Sequence, residues 1–145
     1  MGTLSLGEFA DKINEIMPAM LKGFMRQTSS KFYKVKVTMP QFVILNLLAR
    51  MGEAKMSDLA RSLNVTTAAM TGIVDRLVRD LYVVRASDPK DRRIIRVKLT
   101  AKGSRIVKDI IEERREMIIK MFGKLSQSDR EEYLRILKKI QDHLK

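Results

Sequence analysis

The sequence predicts a mainly α-helical protein with one small antiparallel β-hairpin, and three observations carry that prediction. Apolar residues recur every three or four positions over most of the 145-residue chain, the spacing that gathers them on one side of a helix. Only two neighbouring segments, 82–86 and 94–99, turn to β-branched and alternating residues, the pattern of paired strands. Between them Asp88-Pro89 marks a turn, because Asp suits its first position and Pro presets the next. The length suits one folding unit with a core of its own, and no internal repeat or low-complexity tract divides it.

In chain order, Leu6, Phe9, Ile13, Ile16, Met20 and Phe24 form the stripe of a first helix over about residues 6–30. Pro18 falls inside it, so the helix is kinked there or two shorter helices meet; the kink is the favoured reading. Residues 31–37 carry no helical stripe. Thr38-Met39-Pro40-Gln41 has the spacing of a capping box with Pro in the first turn. It opens a second helix, which buries Phe42, Leu45, Leu48 and Ala49 and ends near Gly52. Ser57–Leu63 is a short helix, broken at Asn64-Val65 before Thr66 caps another that runs to about Leu81. In this pair Leu59, Ala60, Leu63, Val65, Ala69, Met70, Ile73, Val74 and Leu77 make the packed faces, leaving Thr66, Thr67, Ala68, Thr71 and Gly72 as a small, polar outer strip. After the hairpin, Ile106, Ile110, Ile111, Met117, Ile118, Met121, Phe122 and Leu125 mark a helix of some six turns. Ser126, with Asp129 three residues on, caps a last helix with Tyr133, Leu134, Leu137, Ile140 and Leu144 inward.

Composition narrows the chemistry. With no cysteine, disulfides, thiolate nucleophiles and thiol redox sensing are excluded, and the single histidine, His143, cannot build a nitrogen-ligand zinc site. No paired carboxylates beside a histidine, Gly-rich phosphate loop or nucleophile constellation is present, so the chain is read as a non-enzyme without metal or cofactor. No apolar run reaches the roughly 18–20 residues of a membrane span, and Met1–Ser5 lacks a basic, apolar leader, so a cytoplasmic location is expected. The net charge of +12 attracts polyanions. From Arg76 to Arg105 ten basic residues face three acidic ones, which concentrates over half of that charge in one segment.

A short helix, a turn, a second helix and a basic hairpin form the winged helix-turn-helix plan, in which the second helix enters the major groove of duplex DNA and the hairpin reaches a neighbouring groove or the backbone. Thr66 and Thr67 place hydroxyls and free amides at a helix N-terminus, where phosphate or a base edge is favoured. Ala68, Thr71 and Gly72 keep the face low, and Arg76 and Arg79 further along are expected to clamp phosphates. At the hairpin tip, Lys90, Arg92 and Arg93 suit a narrow, negative minor groove. Asp88 and Asp91 are expected to cap the turn and hold the tip arginines by bidentate pairing.

The runs Asp88-Pro89-Lys90-Asp91-Arg92-Arg93 and Val97-Lys98-Leu99-Thr100-Ala101-Lys102-Gly103 also resemble the wing signature of the MarR family, the multiple-antibiotic-resistance regulators. Val74-Asp75-Arg76-Leu77 looks like the end of that family's recognition helix, and Gln41 and Leu59-Ala60 extend the likeness over nearly the whole chain. The resemblance implies a two-fold dimer built from the first helix and the last two, repression as the usual outcome, and often a small phenolic or other aromatic effector whose contacts here are unknown. Leu81-Tyr82 and Asn64 stand where the family commonly has glycine, Lys55 where it has a Ser or Thr cap, and Gly72 where it often has a larger polar residue.

The domain plan is therefore residues 1–37 as an N-terminal dimerisation helix, 38–99 as the winged DNA-binding domain and 100–145 as C-terminal dimerisation helices. Independently of the resemblance, the terminal helices carry more apolar positions than a winged module covers, and each such side chain gains roughly 1.5–3 kcal/mol on burial, so a homodimer is expected. The functional expectation is a dimeric transcription factor that represses at a pseudo-palindromic double-stranded site and is released by a small effector. The alternative is a non-specific architectural DNA-binding protein, for which charge alone would drive binding.

Overall fold

The computed structural model describes residues 3–27 and 37–145, and the predicted non-helical stretch 31–37 lies, apart from Val37, outside them. Among the described residues the elements are α1 (Leu6–Gln27), α2 (Met39–Met51), β1 (Glu53–Lys55), α3 (Met56–Ser62), α4 (Thr67–Arg79), β2 (Val83–Ser87), β3 (Ile95–Leu99), α5 (Ala101–Phe122) and α6 (Gln127–His143). They fall into two compact units, one within Tyr33–Glu112 and one made of Met1–Phe32 with Glu113–Lys145.

In the first unit the helix starts follow the caps read from the sequence. Thr38 Oγ1 accepts from the Gln41 amide while Gln41 Oε1 accepts from the Thr38 amide, so the capping box is closed in both directions. Thr66 Oγ1 accepts from the Ala69 amide at the start of α4. At α3, Lys55 takes the cap position without a side-chain hydrogen bond, as expected where a hydroxyl is missing. Helix α2 buries Gln41, Phe42, Ile44, Leu45 and Leu48. Ala49, predicted inside, is exposed, and so is Ala69 of α4; a single methyl gains little from burial, so it does not decide how a helix is rotated.

Two strands were predicted, and among the described residues three form. β1 pairs antiparallel with β3, Ala54 opposite Val97, and β3 pairs with β2, Arg85 opposite Val97, giving the order β1-β3-β2. The core beneath the sheet joins Ile44, Leu45 and Leu48 to Leu59, Met70, Val74, Leu77, Val83 and Val97, all 0–1% exposed. Among the described residues, two other than glycine have positive φ: Asn64 (52°), which turns the chain between α3 and α4, and Leu81 (62°), between α4 and β2. Leu81 is held there at both ends of its backbone, its N–H donating to Val78 O and its carbonyl accepting from Thr100 Oγ1. Its side chain is 65% exposed, so packing offsets little of the left-handed strain. Leu81→Gly is expected to raise unfolding stability by about 1 kcal/mol in a urea titration; a loss would show the exposed leucine to be needed in place.

In the second unit, α1 is one helix through Pro18 rather than two shorter ones. Ser126 and Asp129 close the capping box of α6, and the Phe122 and Tyr133 rings lie 5.1 Å apart. The positions predicted inward on α6 are exposed in the single chain: Tyr133, Leu134, Leu137, Ile140 and Leu144, as are Leu6, Phe9, Ile13, Ile16 and Met20 on α1.

Candidate nucleic-acid interface

Helix α4 presents the outer strip the sequence predicts, with Thr66, Thr67, Ala68, Thr71 and Gly72 all exposed. Thr71 Oγ1 donates to the Thr67 carbonyl at 2.9 Å, which commits its hydrogen inside the helix and leaves the oxygen as an acceptor. A Cβ built on Gly72 would meet nothing within 4 Å. Internal packing therefore does not demand glycine there, and the space outside it is open to a ligand.

The hairpin tip is organised by Asp88, which is 7% exposed. One carboxylate oxygen accepts from the backbone amides of Lys90 (2.8 Å) and Asp91 (3.3 Å), and the other accepts from Arg96 Nε. The Arg96 guanidinium in turn reaches Glu53 of β1 at 3.1 Å. The bond from Arg96, then the backbone bond from Lys90, hold the Asp88 carboxyl below the usual carboxylate range. Asp91 accepts from the backbone amide of Arg93 at 3.0 Å.

Both aspartates accept backbone amides of the turn, and neither pairs with a tip guanidinium. Asp88 is taken by Arg96 of β3, whose side chain is 30% exposed and whose Nε donates to it. Lys90, Arg92 and Arg93 are exposed and enter no ion pair among the described residues. Arg96 and Glu53 were not singled out from the sequence: they stand 43 residues apart, and β1 had to be known before they met.

Thr67 and Thr71 of α4 and Arg93 of the hairpin line one cavity of about 690 Å³, together with Lys55, Ser57, Arg85 and Ile95. This brings the outer strip of the helix and a tip arginine to the same side of the unit. Arg76 and Arg79 are placed elsewhere, on a second cavity of about 580 Å³ at the far end of α4, with Thr38, Gln41, Tyr82 and Lys102. There Arg79 pairs with Asp80 at 3.0 Å, a bond that raises the arginine and lowers the aspartate from their ordinary values. Lys102 Nζ donates to the Asp80 carbonyl and lies 4.9 Å from the centre of the Tyr82 ring. No cluster of metal-ligating side chains occurs among the described residues.

Residues 37–95 match the model of the MarR family. The uncharacterized HTH-type transcriptional regulator YsmB of Bacillus subtilis (strain 168) is 30% identical over 109 residues, 75% of each chain. The chain belongs to the MarR family. As a member it is a DNA-binding transcriptional regulator and not an enzyme. The YusO protein of Bacillus subtilis shares the fold with a TM-score of 0.79 at 23% identity, over 95% of this chain and 98% of that one. So does BpsR of Bordetella bronchiseptica, whose DNA binding is regulated by 6-hydroxynicotinic acid, with a TM-score of 0.66 at 24% identity over 97% and 99% of the two chains. No helix among the described residues is long and apolar enough to cross a membrane.

Proposed function

We propose that this MarR-family regulator is a cytoplasmic homodimer that represses transcription by binding a pseudo-palindromic operator and leaves it when a small aromatic effector binds. The observation that carries the reading is the shared side of Thr67, Thr71 and Arg93 around one cavity. A recognition helix in the major groove and a wing on the adjacent backbone or minor groove need that arrangement. Thr66, Thr67, Ala68, Thr71 and Gly72 are assigned to the groove, Lys90, Arg92 and Arg93 to the wing contact, and Asp88 and Asp91 to the shape of the tip. Residues 38–99 serve as the DNA-binding domain, with 1–37 and 100–145 dimerising. The exposed apolar stripes of α1 and α6 support that division, since a second copy would remove them from water. The effector part of the proposal draws on BpsR alone, and no residue is assigned to it.

Selection of duplexes from a random-sequence pool, followed by footprinting, tests the reading. The expected result is a two-fold protected pattern with half-sites about one helical turn apart and a preference over random duplex of at least about 10³ at fixed salt. Protection without sequence preference, its strength set by salt alone, would favour an architectural DNA-coating role instead.

A further inference from the structure

We propose that Arg85 is a positioning residue for DNA recognition, fastening the first wing strand to the recognition helix and neutralising Asp75, a carboxylate on that helix's outward face. The proposal rests on the reading that the outer strip of α4 faces DNA. Arg85 is the middle residue of β2. Its Nη1 lies 2.6 Å from Asp75 Oδ1, and its Nη2 donates to the Thr71 carbonyl at 3.4 Å. One planar guanidinium thus spans a full turn of α4 with two differently placed acceptors. A rigid fork can hold that geometry and a lysine ammonium cannot. The two ends of the bond belong to the two parts of the proposed interface, so Arg85 fixes how the hairpin is set against the helix.

Asp75 gives this contact a second consequence. Ala68, Thr71, Gly72 and Asp75 are spaced as neighbours on one helical face, and the Asp75 side chain is 57% exposed. Left unpaired, that carboxylate would stand among DNA phosphates and repel them. Arg85, whose own side chain is only 30% exposed, cancels its charge from behind.

The test uses the full-length protein and the tightest duplex recovered from the random pool. Arg85→Ala is expected to weaken binding about 30-fold, and Asp75→Asn, whose amide oxygen can still accept from the guanidinium, far less. The double variant Arg85→Ala/Asp75→Asn should recover the share of the loss that comes from the bared carboxylate and not the share that comes from the unfastened strand, and Arg85→Lys should keep the charge yet lose part of the affinity. Melting temperatures should stay within a few degrees throughout, because a partly exposed ion pair contributes little to folding. Gly72→Leu serves as the check on the underlying reading, since its Cβ would meet nothing within 4 Å in the protein while the larger side chain would crowd the proposed DNA face.

Unchanged affinity in Gly72→Leu would overturn that reading. Loss of affinity in Gly72→Leu, together with equal weakness of Arg85→Ala and the double variant and a salt slope reduced by one contact, would overturn the Arg85 proposal alone. It would make Arg85 a direct phosphate ligand.

Discussion

Gly103→Ala is expected to cost on the order of 3 kcal/mol or more and to lower the melting temperature by roughly 10 °C. A Cβ at residue 103 would lie 1.9 Å from the Tyr82 carbonyl oxygen and 2.9 Å from its carbon. Both are backbone atoms of the turn that joins α4 to β2, so no rotamer change relieves the clash. That oxygen is already an anchor, accepting from the Thr100 amide at 3.0 Å, while Thr100 Oγ1 accepts from the Gly103 amide and donates to Leu81 O. Moving α5 away to admit a methyl would break this set of bonds where β3 hands over to the helix. Gly72→Ala is the matched control, another helical glycine whose Cβ would meet nothing. There the substitution should stabilise by about 0.5–1 kcal/mol through the lost freedom of the unfolded chain. Thermal and urea melts of the two variants should therefore move in opposite directions, and a tolerated Gly103→Ala would show the close approach of α5 to Tyr82 to be wrong.

The same contrast explains what could be read in the sequence. Helix starts rest on bonds between residues three apart, so Thr38 with Gln41, Thr66 before Ala69, and Ser126 with Asp129 announced α2, α4 and α6 at nearly their observed first residues. The hairpin was legible for a similar reason, its two strands and turn being contiguous. β1 was not: three residues, Glu53–Lys55, are too few to show alternation, and only their pairing with Lys98, Val97 and Arg96 makes them a strand. The roles of Arg85 and Arg96 were hidden for the same cause, since their partners belong to other elements. Arginine in a strand reads as a solvated face until the neighbouring strand and helix are in place. The tip aspartates show how this misleads, because local sequence offered Arg92 and Arg93 as partners for Asp88 and the sheet supplied Arg96 instead.

Arg92→Ala/Arg93→Ala is expected to weaken operator binding about 100-fold near physiological salt and to flatten the slope of log affinity against log salt by nearly two. The physical reason is the division of labour at the tip. The turn is built from Asp88, Asp91, Arg96 and backbone amides, none of which the double substitution removes, so the fold and melting temperature should be unaffected. Arg92 and Arg93 are exposed, with no ion pair among the described residues, and each is therefore available to displace a counterion from DNA without first giving up a protein partner. A pairing of either arginine with Asp88 or Asp91 would have reduced both the charge presented and the number of counterions released. Their loss should weaken specific and random duplexes by similar factors, because a contact to phosphate, or to the minor groove through its width, carries little base identity. Sequence preference should then survive in the double variant and be altered instead by changes at Thr67 or Thr71. A salt slope equal to that of the unchanged protein would place the tip away from DNA, and with it the cavity edge that Arg93 shares with the recognition helix.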